Sequence, residues 1–252
     1  MHPALRTTAH RPWPLPRGPW RMRQSWRDLL FAHWPVPASR LQPLVPPGVA
    51  IQEHDGTSWV GVVPFRMAGV AARPLPDVPG LSAFPELNLR LYVEVAGRAG
   101  VWFVSLDAAS RAAVWAARRF FHLPYFHADM TVRNQGIRVE YRSVRRDVAG
   151  PRVAFVGSYG PTSTVFEARR GSLEHFLTER YCLFARAPDG TLLRADIHHA
   201  PWPMQTAEAE IVENTIAAGQ GISVPLGPPA LLHFSRRLDV VNWLPVPAAA
   251  AD

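Results

Sequence analysis

Leu87-Asn88-Leu89-Arg90-Leu91-Tyr92-Val93-Glu94-Val95 alternates without a break. Leu87, Leu89, Leu91, Val93 and Val95 fall on one side, and Asn88, Arg90, Tyr92 and Glu94 on the other. A side-chain period of two marks a β-strand. Gly97-Arg98-Ala99-Gly100 then supplies a short turn into Val101-Trp102-Phe103-Val104-Ser105-Leu106, so the two runs predict a β-hairpin. One step earlier on the polar side stands Glu86. If this strand lines a closed barrel, a polar row facing inward must find partners, and such a lining makes a ligand pocket. The period alone fits a wet outer face equally well.

Working outward, Thr57 to Phe65 is a β-branched, apolar run opened by the turn signal Asp55-Gly56. On the other side of the hairpin, Ala108 to Phe121 carries Val114, Ala117 and Phe121 at helical spacing, with Asp107 placed to cap it and Leu123-Pro124 to end it. Strands are predicted at Ala128–Val132, Ile137–Tyr141 and Val153–Val156, with Gly157-Ser158-Tyr159-Gly160 as a turn. Ser172 caps a short helix through Leu177. From Tyr181 onward strands return, including Leu231–Phe234 and Leu238–Trp243. Strands with two interposed helices predict a mainly β, α+β barrel or sandwich, not a doubly wound sheet.

No fixed repeat or low-complexity linker divides the interior, so residues 24–244 are expected to form a single domain. Residues 1–23 are rich in proline and arginine and read as a flexible arm; residues 245–252 read as a tail. The formal charge is +7, but Arg6, Arg11, Arg17, Arg21 and Arg23 supply five of those charges with no acid among them. The remainder is nearly balanced, which argues against nucleic acid. The paired arginines Arg118-Arg119, Arg145-Arg146, Arg169-Arg170 and Arg236-Arg237 are scattered, with Asp147, Glu167 and Glu174 nearby, and read as solvated surface. Cys182 is the only cysteine, and no apolar run approaches the about 20 residues that a spanning helix needs. A soluble cytoplasmic protein with no membrane partner is expected; a homo-oligomer is compatible with the sequence.

All 27 basic residues are arginine; the chain has no lysine. A lysine amine can be deprotonated and condense with a carbonyl, whereas a guanidinium stays charged and cannot. The α-amino group of Met1 is the one amine left. Of the ten histidines, the adjacent His198-His199 point to opposite faces of a strand, and His122 and His127 are separated by Pro124. No metal and no other cofactor is expected. Cys182, between Tyr181 and Leu183, reads as a buried, inert thiol. No G-x-S-x-G elbow and no G-x-G-x-x-G loop is present.

Several longer strings carry a resemblance. Trp26 to Trp34, Asp55 to Phe65, Phe84 to Arg90, Gly100 to Asp107, Thr178 to Tyr181 and His198 to Pro203 resemble, in order, the YqjF-like family of uncharacterised bacterial proteins, domain of unknown function 2071. More distantly, Phe84 to Phe126 is similar in layout to acetoacetate decarboxylase. On that resemblance Glu86 is the pocket glutamate and Arg27 the pocket arginine. Ala117-Arg118-Arg119 falls on the family's helix string, and Pro124 on its proline. The Schiff-base lysine and its lysine neighbour fall on Tyr125 and Phe126. The resemblance implies a closed antiparallel β-barrel with an internal pocket and a few peripheral helices. It also implies that decarboxylation through an iminium ion is excluded.

Two functions remain open. One is a lysine-independent lyase, hydratase or isomerase on a small carboxylate or keto compound. There Glu86 is the acid or base, Tyr125 donates to a developing oxyanion, and Arg27, Arg66, Asn88, Arg90 and Arg118 hold the ligand. The other is a non-catalytic small-molecule binding protein on the same barrel, in keeping with nine tryptophans and twelve phenylalanines. A structural alternative is that Glu86 and Arg90 merely pair with each other on one strand face. Borohydride reduction in the presence of a keto acid should add no mass to any peptide spanning residues 2–252. A reduced adduct on such a peptide, found by mass spectrometry, would contradict the exclusion.

Overall fold

The hairpin forms where the alternation places it. In the computed structural model, which describes residues 2–78, 82–146, 150–223 and 227–249, strand β4 (Phe84–Val95) pairs antiparallel with β5 (Arg98–Ala108). The turn is tighter than the sequence suggests: Ala96 and Gly97 alone make it, both at positive φ (49° and 75°), and Arg98 already lies in the strand. A two-residue turn of that hand matches the twist of the strands it joins.

Eleven further strands are β1 (Met22–Pro35), β2 (Ala50–Ile51), β3 (Trp59–Ala72), β6 (Tyr125–Gln135), β7 (Arg138–Arg145), β8 (Ala154–Pro161), β9 (Cys182–Arg186), β10 (Leu192–His199), β11 (Gln205–Asn214), β12 (Leu231–Asn242) and β13 (Val246–Pro247). The α-helices are α1 (Ala38–Leu41), α2 (Arg111–Phe121) and α3 (Leu173–Thr178). Hydrogen bonding runs from β5 through β6, β7, β8, β11, β12, β1 and β3 to β4, which is itself paired with β5. Strand β10 bridges β12 and β9, and β9 in turn lies beside β5. The architecture is mainly β with few helices.

The sheet is not wholly antiparallel: β5 runs parallel to both β6 and β9. A parallel neighbour needs a crossover, and α2 provides it between β5 and β6. Its cap is Ser110, whose Oγ accepts the Ala113 N–H at 3.2 Å, and not Asp107. Asp107 stays in β5 and is buried against Arg145 (Nη2–Oδ1 2.7 Å), both side chains fully shielded from water. Arg145 therefore departs from the surface role expected of the arginine pairs. Gly157 to Gly160 form the middle of β8 instead of a turn. A Cβ on Gly157 would lie 2.7 Å from the Glu210 carbonyl, so glycine is needed there for the close approach of β11. The two expected strands Leu231–Phe234 and Leu238–Trp243 are one continuous strand, β12.

The N-terminal segment is not a free arm. Arg11 is 9% exposed, and its guanidinium lies 3.4 Å from Asp196, whose carboxylate also accepts the Trp13 indole N–H at 3.2 Å. The Trp243 indole donates to the Gly18 carbonyl. The far end is likewise attached: β13 pairs with β10, and Ala248 is buried. Residues 250–252 of the expected tail, and Met1, lie outside the described residues. No helix among the described residues is long and apolar enough to cross a membrane.

Strand β4 is buried on both faces. Its odd-numbered residues Leu87, Leu89, Leu91, Val93 and Val95 enter a core with Leu30, Val60, Phe155 and Phe184. Substituting Asp107→Ala should lower unfolding free energy by about 3–5 kcal/mol, because Arg145 would be left charged and buried without its carboxylate. Urea unfolding checks this; a loss of less than about 1 kcal/mol, as for a surface pair, would contradict it.

Candidate functional site

The opposite face of β4 presents Phe84, Glu86, Asn88 and Arg90 to a cavity of about 470 Å³. Side chains of β1, β3, β5, β9 and β10 complete its wall, and the alanines Ala112, Ala113, Ala116 and Ala117 of α2 line another part. Most of the lining is apolar, with Trp26, Phe65, Phe103 and Trp202 among the aromatic groups.

Glu86 is 2% exposed and Tyr125 8%. The Tyr125 hydroxyl donates to Glu86 Oε2 at 2.9 Å. The two groups meet because α2 ends at His122 in a left-handed conformation (φ 53°), after which Leu123-Pro124 leads into β6. Tyr125 is the first residue of β6 and lies beside Leu106 of β5, while Glu86 is paired with Ala108 of the same β5. Strand β4 is pinned there as well, since the Tyr141 hydroxyl donates to the Glu86 carbonyl at 2.6 Å. Burial pushes the Glu86 carboxyl up to about 8, and the Tyr125 hydrogen bond offsets only part of that rise. Burial, and then the neighbouring Glu86, hold the Tyr125 phenol well above its ordinary range. Near neutral pH the pair is therefore mainly an acid and a phenol, both uncharged, with a minority of Glu86 ionised.

Arg90 and Asn88 also line the cavity, but Arg90 does not pair with Glu86. Its Nε donates to the Tyr92 hydroxyl at 3.0 Å and its Nη2 to the Leu177 carbonyl at 2.9 Å. The purely structural reading of a Glu86–Arg90 ion pair is thereby replaced. The other expected ligand-holding arginines lie elsewhere. Arg118 sits behind the wall, donating Nε–H to the Tyr125 carbonyl at 2.6 Å, where it fixes the backbone that carries the phenol. Arg66 binds Asp28 (Nε–Oδ2 3.1 Å), and Arg27 stands opposite Arg66 and Arg237 in the ladder; neither lines the cavity.

Several groups in or near the cavity had no sequence signal of their own. Arg180, Thr178 and His199 line it. His198 faces the other way and stacks on His10, as adjacent strand residues must. Asp28, at a positive φ of 52°, gathers Arg66, Arg236 and Asn134 on its carboxylate. Cys182 is buried, and burial pushes its thiol up to about 12. Among the described residues no cluster of three or more His, Cys, Asp or Glu could hold a metal ion.

The raised Glu86 carboxyl carries a stability signature. Its folded-state affinity for a proton exceeds that of the unfolded chain, so its contribution is fully present below about 4.5 and is lost as pH rises through about 8. Wild type should therefore lose stability relative to Glu86→Gln across that window, by up to about 1.4 kcal/mol per pH unit. Parallel urea titrations of the two proteins would contradict this if their difference stayed constant with pH.

Residues 23–239 match the DUF2071 family, described as an uncharacterized conserved protein. Over 229 residues the chain is 46% identical to the uncharacterized protein YqjF of Bacillus subtilis (strain 168), spanning 91% of this chain and 93% of that one. Acetoacetate decarboxylase from Legionella pneumophila has a similar fold, with a TM-score of 0.64 at 15% identity, covering 96% of this chain and 93% of that one. An acetoacetate decarboxylase-like enzyme from Sphingomonas wittichii RW1 gives 0.61 at 13%, covering 90% and 93%. The enduracididine biosynthesis enzyme MppR complexed with pyruvate gives 0.62 at 12%, covering 91% of each chain. The fold is thus acetoacetate decarboxylase-like, and the chain belongs to the DUF2071 family.

Proposed function

We propose that the protein is a lysine-independent enzyme of the lyase, hydratase or isomerase type, acting on a small carboxylate or keto compound inside a barrel formed by the self-returning ladder. The single observation that carries this is the Tyr125–Glu86 hydrogen bond at 2.9 Å on the wall of an apolar cavity. A carboxyl at about 8 is populated in both forms near neutral pH, so it can take a proton from carbon and return it. Glu86 in its ionised form removes the proton α to a carbonyl, becoming the neutral acid. Tyr125 turns its hydroxyl to the carbonyl oxygen, where enolate charge develops in a water-poor site. The neutral Glu86 then delivers the proton to the same or the adjacent carbon. The chain has no lysine, so no lysine iminium ion forms on this route. A neighbour of like fold that was crystallised with pyruvate supports a keto acid as the substrate class.

A second reading, a binding protein without turnover, is favoured by the aromatic side chains Trp26, Phe65, Phe84, Phe103 and Trp202 around the cavity. Deuterium exchange separates the two. In D₂O the wild-type protein should wash deuterium into the α-position of a keto acid from a panel including pyruvate, 2-oxobutanoate and levulinate, as followed by proton NMR. Glu86→Gln should slow exchange by about 100-fold or more, and Tyr125→Phe should also slow it. Exchange that is equal in wild type and Glu86→Gln would overturn the assignment. Tight binding with no exchange would select the binding protein.

A further inference from the structure

Two arginines line this cavity and have no carboxylate partner among the described residues. Arg90 is 8% exposed and Arg180 6%. Their guanidinium carbons both lie 5.3 Å from the centre of the Tyr92 ring, so the two charges share one aromatic neighbour. Arg90 spends its bonds on the Tyr92 hydroxyl and the Leu177 carbonyl; Arg180 donates to the Phe176 carbonyl and to the Gln52 amide oxygen. Nearby carboxylates are committed elsewhere. Glu179 accepts from the Trp202 N–H and the Tyr181 hydroxyl, and Glu94 bonds the Gln52 amide, one group removed from Arg180. Arg180 is held down to about 10, first by burial, with Arg90 contributing.

Two buried cations without a counter-charge are costly unless something else supplies it. Other buried arginines, Arg145 on Asp107 and Arg11 and Arg194 on Asp196, do have carboxylates. Asn88 adds a second sign of an absent partner. It is 6% exposed, lines the same cavity between Glu86 and Arg90 on the strand face, and its Oδ1 has no hydrogen-bond partner. Glu86 and Arg90 are four residues apart on β4, which places their Cα atoms about 13 Å from each other.

We propose that Arg90 and Arg180 form an anion-binding subsite at the Tyr92 end of the cavity, so that the ligand is an extended organic anion. Its charged head binds the two guanidiniums, its apolar body lies against the aromatic wall, and a hydroxyl group donates to Asn88 Oδ1 beside Glu86. The inference rests on the cavity being the ligand site, and not on Glu86 acting as acid or base. The head is a carboxylate or a phosphate, since both accept the paired N–H donors of arginine.

Titration calorimetry on the full-length protein at pH 7, with octanoate, octanamide and octyl phosphate as probes, tests it. Octanoate should bind at least about tenfold more tightly than octanamide. Arg180→Gln should abolish that preference, and Arg180→Lys should keep part of it. Glu86→Gln should leave the preference intact, so a failure of the catalytic reading is visible separately. Tighter binding of octyl phosphate than of octanoate would identify a phosphate head and support the subsite. Equal affinity for octanoate and octanamide in wild type, no octanoate binding at millimolar concentration, or an undiminished preference in Arg180→Gln would each overturn it.

Discussion

Strand β4 has no face turned to water over most of its length, and the molecule is arranged around that constraint. Five aliphatic side chains fill the core on one side, while Glu86, Asn88 and Arg90 are shielded on the other. Taking a carboxylate out of water is expensive, so a carboxyl in this position holds its proton far above the ordinary range. The Tyr125 hydroxyl lowers that cost but does not remove it, because a single neutral hydrogen bond is weaker than the hydration it replaces. Arg118 and Tyr141 then act one layer out, fixing the backbone on which the phenol and the carboxyl stand.

The same constraint distinguishes the interior arginines from one another. Arg145 and Arg194 are buried with carboxylates and belong to the framework. Arg66 and Arg236 converge on Asp28, whose strained backbone is held by what its carboxylate gathers. Among the described residues Arg90 and Arg180 hydrogen-bond to carbonyls, a hydroxyl and an amide and lie against ring faces, with no carboxylate in direct contact, which is why a ligand's charge is proposed for them. A chain without lysine has in arginine its sole permanent side-chain cation, and burial context alone decides what each one does.

The hairpin was legible because its two-residue period survives burial of both faces: the leucines mark the core, and the interleaved polar groups mark the cavity. The juxtaposition of Glu86 with Tyr125 was legible only through the resemblance to a known family, since 39 residues separate them and no local pattern links the two. Arg180 carried no signal beyond its place in the string Thr178-Glu179-Arg180-Tyr181. Asp107 was misread as a cap because an acid before a helix fits that role locally, whereas its partner Arg145 lies on a strand far along the chain. The N-terminal arm was misread for a related reason. Proline and arginine composition describes a free segment, but Arg11 and Trp13 have a buried carboxylate to meet in Asp196, which lies 185 residues from Arg11. Periodicity reports neighbours along a strand; it is blind to charge pairs made across a sheet.

The Glu86 carboxyl is expected to retain most of its proton at neutral pH because it is buried in the cavity wall. Carbon-13 NMR of protein labelled at the glutamate side-chain carboxyl, with the signal assigned by its absence in Glu86→Gln, reads this directly. A titration midpoint near 8 is expected. A midpoint near 4.5, the ordinary value for a glutamate, would contradict it.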